Sequence, residues 1–235
     1  MILDVYRDIP PDMRAGRTSI ENAEMFCYEM FNRSPLSQKA IAKDGILSVI
    51  EPLLGSDCHW VNCTAWRNPA GKEHAPRGQE WHIDRGPHVP REPGIEWPLN
   101  IHYPVFVIAT HIFLQDVGPD DGPTLVAAGS HTSGQVPPQA NLWDLELRFK
   151  GQGLLMQTAR AGDVGFFISD VWRRRLPPTT TSAGRFFLQS NDGRREVAQR
   201  VRPTDMANHV AEESRARAKT ERELIGLHRQ VSYDG

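Results

Sequence analysis

His82-Ile83-Asp84 sets an imidazole and a carboxylate two residues apart. On an extended strand alternate side chains share a face, so these two groups point one way while Trp81 and Ile83 point the other, toward a core. Such a pair is two-thirds of a two-histidine, one-carboxylate facial site, the arrangement that leaves iron(II) with open positions for a cosubstrate and dioxygen. The tripeptide is common enough by chance to need company before it carries weight. Cys58, His59 and Cys63 form a poorer cluster, because the neighbours Cys58 and His59 face opposite ways on a strand and do not readily share an ion. No Gly-x-Ser-x-Gly elbow or Walker loop occurs, and Gly151-x-Gly153 has Met156 where a third glycine would stand, which argues against a serine hydrolase or a nucleotide binder.

The elements that must position these groups follow from spacing. Residues 18–31 begin with Thr18 and Glu21 in capping-box relation and carry Ile20, Ala23, Phe26, Cys27, Met30 and Phe31 at helical intervals, which predicts one amphipathic helix. Ser34-Pro35 predicts the start of a second, running to about Leu54 with Ile46, Ile50, Leu53 and Leu54 inward and Gly55 as its stop. From residue 58 the period becomes two. Segments 59–66, 79–84, 101–116, 123–128, 153–160, 163–169 and 185–190 are short, rich in β-branched and aromatic residues, and separated by turn formers. Strands without helical crossovers predict an antiparallel sandwich or jelly roll. Residues 85–98, with four prolines and two glycines, predict an irregular loop that could act as a lid. Residues 212–223 are mostly charged and read as a solvated helix.

A chain of 235 residues with 39% hydrophobic and 24% charged residues can bury a full core, and this mixture excludes a disordered or coiled-coil protein. It is read as a single domain over 1–235, with a helical part at 1–57, a β core at 58–195 and a helical extension at 196–235. The net charge of −2 gives no global basic field, so neither a nucleic acid nor a membrane is an expected partner. Locally, residues 171–202 hold eight arginines (173, 174, 175, 185, 194, 195, 200, 202) against Asp192 and Glu196, which suits an anionic ligand or equally a basic solvated face. Three cysteines, at 27, 58 and 63, with no CxxC pair, and an N-terminus lacking a basic start and apolar stretch, fit a cytoplasmic protein. The expected partner is a small-molecule substrate of unidentified structure, and an oligomer is possible.

Taken in order, Trp81-His82-Ile83-Asp84, then Asp120-Asp121-Gly122-Pro123-Thr124-Leu125-Val126-Ala127-Ala128-Gly129-Ser130-His131, then Gly162-Asp163-Val164-Gly165-Phe166-Phe167 and the strand arginine Arg185 resemble the phytanoyl-CoA dioxygenase-like branch of the iron(II)/2-oxoglutarate oxygenases. The resemblance runs from about residue 60 to 195. It implies a double-stranded β-helix of jelly-roll, cupin-like type, with His82 and Asp84 as Fe(II) ligands and Arg185 as the anchor of the 2-oxoglutarate cosubstrate. The implied activity is an oxidoreductase's: oxidation or hydroxylation of a small organic molecule. Apart from the name, a guanidinium is permanently charged and grips a carboxylate with two parallel hydrogen bonds.

The pattern breaks at one position. Where the resemblance calls for a third ligand, a histidine about a dozen residues before the anchoring arginine, the chain has Arg173, and no histidine occurs between 132 and 208. A guanidinium stays protonated and offers iron no lone pair. Three accounts stand open: a substitute ligand among His102, His111, His131 and Asp170; a two-ligand iron site; or a metal-free, catalytically silent barrel in which Arg173 pairs with Asp84 and the protein acts as a binding or partner subunit.

Overall fold

The structure, a computed structural model, describes residues 25–28, 30, 34–68, 77–84, 86–179, 185–199, 224 and 226. Ser34 caps helix α1 (Pro35–Ile41), its hydroxyl accepting from the Ser37 amide at 3.3 Å with Pro35 at the first helical position. Helix α2 (Asp44–Leu54) follows after a break, so the single helix expected over 34–54 is two. Lys43 turns extended between them, Asp44 sits in the favourable first turn of α2, and Gly45 would weaken a continuous helix at its middle. Ile46, Leu47, Ile50 and Leu54 face inward, Leu53 is exposed contrary to expectation, and Gly55 ends the helix at a φ of 106°.

The described residues form eight strands: β1 (Met25–Tyr28), β2 (His59–Asn68), β3 (Val107–Phe113), β4 (Thr124–Ala127), β5 (Leu154–Gln157), β6 (Val164–Ile168), β7 (Arg173–Arg175) and β8 (Arg185–Gly193). They form a five-stranded sheet in the order β1-β2-β8-β3-β6 and a three-stranded sheet in the order β5-β4-β7, every pairing antiparallel. Residues 25–28 correct the expected helix over 18–31: they pair with β2 from Met25 opposite Arg67 to Tyr28 opposite Thr64. Residues 18–24 and 212–223 lie outside the described residues, as does most of the expected 196–235 extension. The segment 79–84 makes an isolated bridge at His82 rather than a strand, and regular structure within 101–116 is confined to β3.

The outer face of the larger sheet packs on α2 through Ile46, Leu47, Ile50, Leu54, Cys58, Val105 and Ile108. The smaller sheet buries its outer face with Trp81, Leu125, Ala127, Leu147 and Trp172. Between the sheets Ala109, Val126, Phe167 and Val171 pack together. Alternation along β8 then turns Arg185, Phe187, Gln189 and Asn191 to one face, and β2 and β3 set Asn62, Thr64 and His111 opposite them in register. The space enclosed between the sheets therefore has a polar lining.

Candidate functional site

The site begins in a register. His82 and Arg173 form an antiparallel bridge in which each amide donates to the other's carbonyl at 2.9 Å, and directly opposed residues of that kind carry side chains on the same face. Asp84, two residues on, is held by its amide donating to the Ser169 carbonyl at 3.3 Å. The guanidinium of Arg173 consequently meets Asp84: its Nη2 donates to Asp84 Oδ1 in a mostly buried ion pair, with side-chain exposures of 11% and 15%. Asp84 Oδ2 is buried with no hydrogen-bond partner among the described residues, and so is Arg173 Nε.

His82 Nδ1 lies 2.8 Å from the Glu80 carbonyl. A carbonyl only accepts, so in the neutral ring Nδ1 carries the proton and Nε2 the lone pair. Burial, aided by the Arg173 charge, brings the imidazole's pKa down to about 4, so it stays neutral at ordinary pH.

Arg185 is placed by β8 at the other end of the lining. Its Nε donates to Asn68 Oδ1 at 2.9 Å and its Nη1 to Thr124 Oγ1 at 3.0 Å. Thr124 stands there because Gly122, at a φ of +69°, turns the chain so tightly against the Leu176 carbonyl that a Cβ would come within 2.8 Å of its oxygen. The two arginines are linked by rings. Arg173 lies 4.9 Å from the Phe167 centroid, Phe167 packs on His111 at 4.9 Å, His111 on Phe187 at 4.5 Å, and Arg185 lies 4.8 Å from Phe187. Burial first, then the charges of Arg173 and Arg185, push the His111 ring well below its ordinary pKa.

None of the four candidate replacement ligands joins His82 and Asp84 in a group that could hold a metal. Asp170 accepts from the Tyr103 hydroxyl and from the His88 amide, the latter at 3.3 Å. His131 packs its ring edgewise on Tyr103 at 5.0 Å, His102 is exposed, and His111 packs edge-on against Phe167. Among the described residues no three His, Cys, Asp or Glu side chains converge as a metal site would need. The donor set at His82 and Asp84 therefore does not fit a resident iron: it has two members, and a guanidinium sits on one of them.

The arginines of β7 and β8 do not form a basic face. Arg173, Arg174, Arg175 and Arg185 are all buried, and Arg174 donates to the Arg77 carbonyl at 2.9 Å. Arg194 donates to the Val105 carbonyl and Arg195 pairs with Asp57, while Arg200 and Arg202 lie outside the described residues. Loop residues 86–98 are irregular, as expected, and are tied to the 130–135 turn by the Arg91 amide donating to Gly134 and by Gln135 donating to the Arg91 carbonyl. Sequence reasoning missed Asn68 and the place of Thr124 beside Arg185, and it weighed His111 only as a substitute ligand. Part of the signal was present in β8, where Arg185 and Gln189 alternate with Phe186 and Leu188.

No family model and no curated protein matches this chain. Among solved structures it is similar to EctD from S. alaskensis with bound Fe, at 19% identity and a TM-score of 0.62, over 83% of this chain and 65% of that one. It is similar to HygX from Streptomyces hygroscopicus with nickel, 2-oxoglutarate and hygromycin B bound, at 15% identity and 0.53, over 75% and 71%. It is also similar to the non-heme alpha ketoglutarate dependent carbocyclase SnoK from nogalamycin biosynthesis, at 15% identity and 0.56, over 82% and 72%. The chain thus has the fold of these proteins, and it spans just under two thirds of the length of EctD.

Proposed function

We propose that this chain is a metal-free member of that fold: a double-stranded β-helix that binds a small carboxylate between its sheets through Arg185 and Thr124, as a binding or partner subunit. The ion pair between Arg173 and Asp84 carries this reading. It sets a permanent cation on the carboxylate that would ligate iron, and a cation beside a divalent ion opposes its binding. Arg185, buried and held in one plane by Asn68 and Thr124, keeps the fork geometry that suits a carboxylate. A cytoplasmic setting belongs to this reading, supported by Cys58, a buried free thiol; among the described residues no helix is long and apolar enough to cross a membrane.

A second reading is favoured by the unpartnered Oδ2 of Asp84 and by the tautomer of His82, which leaves Nε2 unprotonated. In it Arg173 leaves Asp84, His82 and Asp84 hold Fe(II), Arg185 anchors 2-oxoglutarate, and the protein is an oxidoreductase of the phytanoyl-CoA dioxygenase-like kind acting on a small organic molecule.

Anaerobic titration of the chelator-stripped protein with Fe(II) in the presence of 2-oxoglutarate separates the two. The first reading expects no saturable visible charge-transfer band. Saturable growth of that band would overturn it in favour of the second.

A further inference from the structure

Arg173 has more donors than Asp84 uses. Its Nη2 serves Asp84 Oδ1, while its Nε is buried with no hydrogen-bond partner among the described residues. A buried donor left unmet costs about 1–3 kcal/mol, a penalty that a bound acceptor would remove. At the far end Arg185 is oriented by Asn68 and Thr124. Phe167, His111 and Phe187 run between the two guanidinium groups in continuous ring contact, so both arginines border one interior. That the ring of His111 feels both charges agrees with this placement. A cavity of about 130 Å³ lies at the Asp84 end, lined by Asp84, His88, Ser169, Asn191, Val61 and Val107 among others.

We propose that Arg173 has taken over the metal's part in binding, so that Arg173 and Arg185 together grip the two ends of a dicarboxylate. The inference rests on the carboxylate-binding reading above and deepens it, naming the ligand class. Arg185 holds one ligand carboxylate and Arg173 holds the other through the donors that Asp84 leaves unused, each by direct hydrogen bonds with no ion as intermediary. Asp84 then acts as a positioning residue that keeps the Arg173 fork in place. Acids with one carboxylate fill only one end, and the preferred chain length reports the separation of the two arginines.

Calorimetric titration of the protein in excess chelator tests this with malonate, succinate, glutarate and 2-oxoglutarate as probes and propionate as the single-carboxylate control. Binding of at least one dicarboxylate is expected with the same affinity with and without chelator, and at least tenfold tighter than propionate. Arg185→Gln and the paired variant Asp84→Asn/Arg173→Gln, which leaves no lone buried charge, are each expected to weaken it at least tenfold, with circular dichroism confirming the fold. Should the paired variant bind with native affinity while Arg185→Gln does not, the role of Arg173 is overturned and carboxylate binding stands. Absence of binding to every probe, or binding only with added Fe(II), overturns both.

Discussion

His82 and Arg173 exchange both backbone hydrogen bonds at 2.9 Å, which fixes the guanidinium on the same face as the imidazole and beside Asp84. The register, rather than the side chain, decides what stands there, so a different residue at 173 inherits the position. Arg173→His therefore puts a second imidazole next to His82 and frees Asp84, completing three donors. We expect the variant to bind Fe(II) at least tenfold more tightly than the native chain and to develop the iron–2-oxoglutarate charge-transfer band under anaerobic titration. Unchanged metal affinity would show that residue 173 does not face the His82–Asp84 pair.

The same pair bears on stability. Removing one partner of a mostly buried ion pair leaves the other charge uncompensated, a loss of about 3 kcal/mol, whereas removing both charges together is close to neutral. Arg173→Gln alone is expected to lower the urea midpoint clearly, and Asp84→Asn added to it to restore most of the loss. If the two single changes simply add in the double variant, the residues are not coupled and the ion pair contributes nothing.

Much of this site was legible in the residues because it depends on short-range periodicity. His82 and Asp84 share a side by strand geometry, and the conflict at Arg173, including the pairing with Asp84, follows from a permanently protonated side chain that must find an acid. The edge strand Met25–Tyr28 was not legible: its apolar residues satisfy a helical interval, and only pairing with β2 makes it extended. Strand β7 escaped for the opposite reason. Three consecutive arginines have no apolar alternation to read, and their burial depends on acceptors brought from distant parts of the chain, Asp84 for Arg173 and the Arg77 carbonyl for Arg174. Thr124, as a partner of Arg185, is likewise visible only once β4 and β8 face each other.

Asp192 gives the fold a pH dependence. Burial pushes its carboxyl up to about 7 against the opposing influence of the nearby Ser190 hydroxyl and the hydrogen bond donated by Thr110, while in the unfolded chain it titrates near the ordinary value of about 4. Between those limits the folded protein keeps a proton that the unfolded chain has released, so the contribution of Asp192 to stability is full below about pH 4 and is lost as pH rises to about 7. His82 and His111, whose pKa values are lowered, work in the opposite sense, but they are common to any variant at 192 and cancel in a comparison. Asp192→Asn is thus expected to gain stability relative to the native chain as pH rises from 4 to 7, read as the difference in denaturant midpoints. Parallel profiles would place an ordinary carboxyl at 192.

Thr124 tests whether the Arg185 end is built for a ligand. Its hydroxyl accepts from Arg185 Nη1 at 3.0 Å, and both residues are buried, so Thr124→Val keeps the shape of β4 while taking away one acceptor that fixes the guanidinium plane. A buried donor deprived of its partner costs about 1–3 kcal/mol, and Thr124→Ser, which retains the hydroxyl, avoids most of that loss. If the bond serves only the fold, valine lowers stability and leaves carboxylate affinity alone among the molecules that remain folded. If it also aims the Arg185 fork, valine weakens 2-oxoglutarate binding about tenfold or more at temperatures well below its unfolding transition, and serine restores it. The second outcome is expected, because the Thr124 hydroxyl is one of the acceptors that set the plane of the Arg185 guanidinium.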